Sequence, residues 1–399
     1  MEVWADMACA WAYIGKRRLE QAELGEDVEI VWRPYVIDPM APVPSEPLEE
    51  ELRDPVAEGA LRAFHPAPTP GSALSPASTG DRAGARAGDR PADSGPPRGP
   101  VWRANTFDAH RVIALARGRG GAALQGAVVE RILRAHFVEG SDIGDRATLV
   151  ALAAEAGLDG MAEALDRGDG ADEVRSELLR GKAEGVTTSP TFTVGDTAVS
   201  GAQPAEVLAD LVRHAAPRRE LPDEVRWLRQ AEALLDARDP LGALWILRPL
   251  LADHGDDPAV RLLAARAYFG SAQLGRARET LEALLERTPG DHYARFLLGR
   301  TLERANLLPE ALPHLRLAAA MSPEPDHVDR GRAGPGAAHG PGASRDDPEP
   351  RPAPRGFGRR ASHGPRCLVC RPGARSGGPI RLADPVSRIR RGREPGGFR

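Results

Sequence analysis

Cys9 is the residue of this chain whose type and position best suit nucleophilic chemistry. The sequence holds three cysteines, Cys9, Cys367 and Cys370, too few to brace 399 residues with disulfides. Residues 2–5 have the apolar pattern of a short strand, and apolar residues at helical spacing follow Cys9. Cys9 is therefore predicted at the start of a helix, where unpaired N–H groups and the helix dipole favour a thiolate. We expect the pKa of this thiol to lie below its ordinary ~8.5 and the thiolate to attack disulfides.

The other two cysteines form a Cys-x-x-Cys pair at Cys367 and Cys370. Two functions suit such a pair: resolution of a mixed disulfide at Cys9, or half of a zinc site. Neither a helix start nor a second pair of ligands accompanies it in the sequence. We therefore interpret the pair as incidental and predict no metal site.

The elements around Cys9 predict an α/β domain over residues 1–215. Four short stretches have the composition of strands: residues 2–5, 29–32, 191–194 and 198–199. A helix from 9 to about 22 joins the first two, which predicts a right-handed parallel crossover. Helical periodicity over 101–185 separates the second strand from the third. The order is that of a thioredoxin fold with an inserted helical domain.

Two tracts depart from this pattern. Residues 65–100 and 324–399 are rich in Pro, Gly, Ala, Ser and Arg and poor in large apolar residues. Such segments bury too little surface to offset the entropy of ordering them. We predict a disordered insertion and a disordered basic tail. The abrupt change of composition at both also raises the hypothesis that they are shifted reading frames of a GC-rich gene.

An internal repeat of 34 residues fills residues 221–323. The period is marked by Ala243, Ala277 and Ala311, each followed four residues later by a leucine. A small residue stands twelve positions before each of these alanines: Ala231, Ala265 and Gly299. This pattern is typical of tetratricopeptide repeats, in which small residues let paired helices approach closely. We predict three repeats in an all-α solenoid that binds a protein partner, with a generic helical bundle as the alternative.

Charge and hydropathy limit the partners and the compartment. The net charge is −4, which gives no general attraction to nucleic acid or to an anionic membrane. No run approaches the ~18 apolar residues of a membrane helix. Glu2 and Asp6 interrupt the first apolar stretch, unlike a secretory signal. We expect a cytoplasmic protein with neither a membrane nor a nucleic acid as partner.

The segment from Asp6 to Arg17, DMACAWAYIGKR, resembles the active-site segment of DsbA-like oxidoreductases of the FrnE type. These are similar in fold to 2-hydroxychromene-2-carboxylate isomerases and kappa-class glutathione transferases. Four further segments match in chain order: residues 105–111, 137–143, 185–192 and 199–204. Apart from the insertion, the resemblance spans residues 1–214 and implies a thioredoxin fold for all of them.

The resemblance also implies roles for individual residues. Cys9 takes the place of the catalytic nucleophile, and Pro190 that of a cis-proline facing it. Ser189, just before this proline, would leave its backbone available to a bound peptide or to glutathione. The remaining lining of the substrate cleft is expected from Trp11, Asn105 and His110. A purely structural role is the alternative for each of these three.

Two departures from the family pattern decide which reaction is open to Cys9. Ala12 stands where the family has its second cysteine, and Ala10 where it has proline. Without a thiol at position 12, Cys9 cannot close a local disulfide.

Three functions remain. Our prediction is a monothiol thiol–disulfide oxidoreductase acting on a disulfide-bearing protein or a small thiol adduct. It would have no bound cofactor, and glutathione or another low-molecular-weight thiol would be its co-substrate. A glutathione-dependent isomerase or transferase is disfavoured, because those relatives typically carry serine at the position of Cys9. The third alternative is a non-catalytic adaptor that binds proteins through both domains.

Overall fold

The computed structural model describes residues 1–25, 27–64, 100–216 and 220–321, with the backbone of residues 380–381. Contacts divide these residues into two compact units whose boundary falls after Leu221. The tracts predicted to be disordered lie outside the described residues, except for residue 100 and one short strand, Ile380–Arg381. Cys367 and Cys370 lie outside them as well.

The first unit follows the order of elements expected from the sequence. Its described helices are α1 Ala10–Glu20, α2 Pro55–Phe64, α3 Phe107–Arg134, α4 Arg146–Glu155, α5 Met161–Arg167, α6 Ala171–Ala183 and α7 Ala205–His214. Its strands are β1 Glu2–Ala5, β2 Val31–Pro34, β3 Glu46–Pro47, β4 Trp102–Arg103, β5 Thr191–Val194, β6 Thr197–Ser200 and β7 Ile380–Arg381. A 3-10 turn, Glu50–Leu52, precedes α2, and a π-helical turn, Ala135–Glu139, follows α3. The thioredoxin fold with helices inserted between β2 and β5 is confirmed.

The main sheet has the strand order β2-β1-β5-β6-β7, with β1 and β2 parallel and the other pairs antiparallel. Val3 of β1 lies opposite Phe192 of β5, and the next residue, Trp4, points to the other face. A Cβ atom at Gly15 of α1 would lie 3.1 Å from Phe192, and one at Gly181 of α6 would lie 2.6 Å from Trp4. Small residues thus let α1 and α6 approach opposite faces of the sheet.

The helical insertion agrees with the sequence in one place and differs from it in two. The spacing of apolar residues predicts two helices, over 107–116 and 123–137, and α3 consists of two helical stretches that meet at the non-helical residues Gly120 and Gly121. Gly121 has φ 66°, a conformation that glycine adopts without strain. The insertion begins with β4, which pairs with β3, and it contains α5, an element that the periodicity did not predict. A helix of seven residues and strands of two are too short to carry a visible period.

The second unit is an array of six described helices in three successive antiparallel pairs. They are α8 Asp223–Asp236, α9 Pro240–Asp253, α10 Pro258–Gly270, α11 Leu274–Arg287, α12 His292–Arg304 and α13 Leu308–Met321. Ala231 and Ala265 are fully buried, and a Cβ atom at Gly299 would lie 2.6 Å from Leu315 of the paired helix. The expected role of the small residues, close approach of paired helices, is confirmed.

Candidate active site around Cys9

Cys9 is the N-cap residue of α1, with φ −92° and ψ 112°. Its backbone N–H donates to the carbonyl of Asp6 at 3.1 Å, and its own carbonyl accepts from Ala12 N at 2.9 Å, in the first turn of the helix. The side chain is only 3% exposed. Its Sγ atom donates to the carbonyl of Ser189 at 3.4 Å. The sulfur therefore lies at the positive end of α1 and against one carbonyl of a distant segment.

The segment Ser189–Pro190 supplies this carbonyl. The Ser189–Pro190 peptide bond is cis, as the resemblance implied. The hydroxyl of Ser189 accepts from Asp6 N at 2.9 Å, and the carbonyl of Pro190 accepts from Gly201 N at 2.7 Å. The Pro190 ring lies 3.1 Å from the place of a Cβ atom at Gly15 of α1. The segment is thus fixed from three sides beside the sulfur.

Asp6 connects the turn that carries Cys9 to the chain that follows β2. Its carboxylate is buried and accepts from Ala8 N at 3.1 Å and from Ile37 N at 2.6 Å. Because β1 and β2 are parallel, the residues that follow each of them meet at one edge of the sheet. The carboxylate stabilises both of these irregular segments at that edge.

His110 of α3 packs against this edge from the inserted helices. Its Nε2 atom lies 3.0 Å from the carbonyl of Tyr35 and 4.0 Å from Oδ1 of Asp6. Burial lowers the pKa of His110, and the charge of Asp6 opposes this in part. The ring is therefore neutral at pH 7, and Nε2–H donates to Tyr35. His110 therefore lies near Asp6, but its Nε2–H donates to the backbone carbonyl of Tyr35 and not to the carboxylate.

A second buried histidine, His136, lies in the π-helical turn after α3. Burial lowers the pKa of His136 to about 4, while the carbonyl of Ser141 and the charges of Asp6 and Asp142 oppose the shift. Its Nδ1 atom lies 3.4 Å from the carbonyl of Ser141, and its Nε2 atom has no hydrogen-bond partner among the described residues. His136 is thus neutral in the folded chain at pH 7.

Tyr35 belongs to the site and was not among the residues expected from the sequence. Its hydroxyl donates to the carbonyl of Thr187 at 2.7 Å. Burial, then the negative charges of Asp6 and Cys9, raises the pKa of Tyr35. The phenol therefore stays protonated through the neutral range. The signal that would have found it is its position directly after β2, since β2 is parallel to the strand that leads to Cys9.

Trp11 and Asn105 make bonds away from the sulfur. Trp11 is half-buried, and its Nε1 atom donates to Asp54 at 3.0 Å, just before α2. The amide of Asn105 donates to Ala41 O at 3.3 Å and accepts from Phe107 N at 3.1 Å. The hydrogen bonds of Asn105 reach neither Cys9 nor the segment that faces it. They support the structural alternative for this residue.

The two positions that depart from the family pattern differ in burial. Ala12 is fully buried in the core below the site, and Ala10 is half-buried. Cys9 is the one cysteine among the described residues. In this part of the chain the site therefore offers a single thiol, and that thiol is buried.

No group of three or more His, Cys, Asp or Glu side chains within the described ranges is arranged to hold a metal ion. None of the helices that the structure describes is both long enough and apolar enough to cross a bilayer.

Comparison with known proteins gives matches in both units. Residues 98–213 match the model of the DSBA-like thioredoxin domain, and residues 234–300 match that of the tetratricopeptide repeat. The uncharacterized protein YwbO of Bacillus subtilis (strain 168) is 27% identical over 210 residues, which are 52% of this chain and 92% of that protein. A crystal structure of a probable DsbA oxidoreductase from Streptomyces coelicolor is 26% identical. It covers 55% of this chain and 92% of its own, with a TM-score of 0.39. The family match begins after the segment of Cys9.

Proposed function

We propose that this chain is a monothiol thiol–disulfide oxidoreductase, on the premise that its first unit is a DsbA-like thioredoxin domain and its second unit an array of tetratricopeptide repeats. The observation that carries the proposal is the position of Cys9 at the N-terminus of α1, with its Sγ atom 3.4 Å from the carbonyl of Ser189. The segment from Asp6 to Arg17 supports the FrnE type as the subclass.

The reaction has two steps. The Cys9 thiolate attacks one sulfur of a substrate disulfide, forms a mixed disulfide and releases the other substrate sulfur as a thiolate. A second thiol from solution then attacks the mixed disulfide, takes over the substrate sulfur and releases the Cys9 thiolate. With a glutathionylated protein as substrate, Cys9 takes the glutathionyl group and releases the protein thiol, and one free glutathione then removes that group as glutathione disulfide. The reducing thiol pool of the cytoplasm, the compartment we propose, supplies this co-substrate.

The residues of the site favour the first step. The dipole of α1 favours negative charge on the sulfur of its N-cap residue, although the side chain makes no capping hydrogen bond to the first-turn N–H groups. The Ser189 carbonyl accepts from the thiol and so fixes the direction of the sulfur, but this bond stabilises the neutral thiol and is lost when the thiolate forms. Ala12, which is fully buried, cannot resolve the mixed disulfide, so its breakdown depends on a second molecule.

The test is exchange between the full chain and a fluorescent peptide disulfide-linked to glutathione, with reduced glutathione present. We expect turnover by the native chain and loss of at least a hundredfold in Cys9→Ser. The matched control, Cys367→Ser with Cys370→Ser, keeps the native rate. Full activity of Cys9→Ser would refute the function, and loss of activity in the double variant would refute a site with one thiol.

The alkylation rate of Cys9 by iodoacetamide gives an independent readout on the same chain. A stabilised thiolate predicts a rate that reaches its plateau well below pH 8. A rate that still rises through pH 8.5 is the result for an ordinary thiol.

A non-catalytic adaptor is the second candidate, and the burial of the thiol favours it. Cys9 is 3% exposed, so a substrate disulfide reaches the sulfur only if neighbouring side chains move. The tetratricopeptide repeats support protein binding in either case. An inactive native chain whose repeats still capture a protein partner would favour the adaptor.

A further inference from the structure

We propose that Tyr35 is a positioning residue for the exchange reaction of Cys9, because its hydroxyl holds the segment Thr187–Ser189 against the sulfur. The inference rests on the proposed function of Cys9 and deepens it by naming a second residue of the site. Neither the resemblance of segments nor the family matches identified Tyr35.

Two hydrogen bonds connect the hydroxyl of Tyr35 with the sulfur of Cys9 through the segment Thr187–Ser189. The hydroxyl donates to the carbonyl of Thr187 at 2.7 Å. Two residues further along the chain, the carbonyl of Ser189 accepts from the Sγ atom of Cys9 at 3.4 Å. The phenol therefore fixes one end of the segment whose other end forms a wall of the sulfur site.

Tyr35 is itself held at both backbone atoms that form hydrogen bonds. Its N–H donates to the carbonyl of Ala5 in β1 at 3.2 Å. Its carbonyl lies 3.0 Å from Nε2 of His110, which donates to it from α3. The backbone of Tyr35 is thus held by the sheet through Ala5 and by α3 through His110, and this fixes the position from which the side chain extends. The side chain is half-buried, so its ring is also confined.

The ionisable groups around Cys9 leave the hydrogen bond of Tyr35 intact across the working pH. They are Asp6 in the turn before α1, Tyr35 after β2 and His110 on α3. Burial and the two negative charges of Asp6 and Cys9 raise the pKa of Tyr35. The phenol thus remains a donor when the thiolate forms, and it cannot act as the base that deprotonates it.

Disulfide exchange depends on such positioning more than alkylation does. The attacking sulfur must approach along the S–S axis of the substrate, so three sulfur atoms lie in line in the transition state. With the Cys9 side chain 3% exposed, the walls of the site decide which line is open. Iodoacetamide is small and needs one accessible thiolate. A loosened wall should slow exchange and leave alkylation almost unchanged.

The experiment compares Tyr35→Phe with Tyr13→Phe in the full chain. Tyr35→Phe keeps the ring and removes the hydroxyl. Tyr13 lies on α1, is fully buried, and its hydroxyl bonds to Glu130 at 3.4 Å and Arg17 at 3.1 Å, so it controls for loss of stability. The readouts are kcat and KM for the glutathionylated peptide, the alkylation rate, and the melting temperature.

We expect Tyr35→Phe to lower kcat about tenfold, with KM and the alkylation rate within about twofold of the native chain. Tyr13→Phe should lower the melting temperature and change neither rate. A native kcat in Tyr35→Phe would overturn the inference, and so would a parallel fall of exchange and alkylation. If the native chain and Cys9→Ser are equally inactive, the proposed function fails first and this role for Tyr35 fails with it.

Discussion

The two units of this chain use opposite means to hold their important residues in place. Around Cys9, single polar contacts join residues far apart in sequence, such as Cys9 with Ser189 and His110 with Tyr35. In the repeat array, one apolar contact recurs every 34 residues, with a small side chain against the paired helix, as Gly299 lies against Leu315. Each of these two polar contacts joins one particular pair of residues. The array spreads its stability over near-equal neighbours.

The largest predicted effect is a loss of stability of the first unit at low pH. The two buried histidines among the described residues, His110 and His136, both lie in this unit. The pKa of His136 is lowered to about 4 in the folded chain. Between pH 6.5 and 4 the imidazole is therefore protonated in the unfolded chain and neutral in the folded chain. Stability is therefore lost as pH falls from 6.5 to 4, by about 3 kcal/mol from this residue. Urea unfolding at a series of pH values measures the loss. His136→Leu should flatten the profile, whereas His254→Leu, at an exposed position in the second unit, should keep the native one.

Asp6→Ala should destabilise the first unit and leave the stability of the second unit unchanged. The substitution leaves the N–H groups of Ala8 and Ile37 without their acceptor, at a cost of about 2.5 kcal/mol. Hydrogen–deuterium exchange should show lost protection over residues 1–64 and native protection over 222–321. Asp210→Ala removes a surface ion pair with Arg213 and should cost less than about 0.5 kcal/mol. Equal losses in the two variants would contradict the importance given to Asp6.

Gly299→Val should destabilise the repeat array and leave the stability of the first unit unchanged. A Cβ atom at this position would lie 2.6 Å from Leu315, so the larger side chain forces α12 and α13 apart, at about 2 kcal/mol. Protection should fall over residues 222–321, most in the last pair of helices, and stay native over 1–64. Gly275→Val, in α11 with open space around its missing Cβ, is the control. A loss as large in the control would show that helix propensity, and not the contact with Leu315, sets the cost.

Trp11→Phe is expected to have the smallest effect on stability. It removes the bond from Nε1 to Asp54, and Trp102→Phe removes a similar bond to Gly140 O at 3.1 Å. Each should cost about 1 kcal/mol in urea unfolding. If Trp11 also lines the approach to Cys9, only Trp11→Phe slows exchange, by about threefold. Equal exchange rates in the two variants would leave Trp11 as packing alone.

The sequence predicted most of the fold because both units carry local signals. A strand, a helix that begins after Cys9, and a second strand are visible as short patterns, and the 34-residue period is visible as a repeat. Elements without a period were missed, namely α5 and the pair β3–β4. The break in α3 at Gly120 and Gly121 was predicted as the gap between two helices, 107–116 and 123–137.

The site was predictable only where the resemblance supplied it. Cys9 and the cis peptide bond at Pro190 came from matched segments, and the structure brings them together. Tyr35 and Asp54 were missed, because their bonds span 152 and 43 residues and leave no mark on local composition. Asn105 was expected in the cleft, but its amide is used at the start of α3. Of the missed residues, Tyr35 carried a signal only through the predicted topology, because it follows a strand parallel to β1.

The buried Ala12 has a consequence for how long the site stays occupied. A second cysteine at position 12 would resolve a mixed disulfide at Cys9 within the protein, at a rate independent of the concentration of free thiols. Under the proposed monothiol reaction, clearance needs a thiol from solution, so the dwell time of a captured target should scale inversely with the concentration of that thiol. The proposal therefore predicts a mixed disulfide whose lifetime is set by the surrounding thiol concentration. In low thiol, the native chain should co-purify with its targets still attached through Cys9.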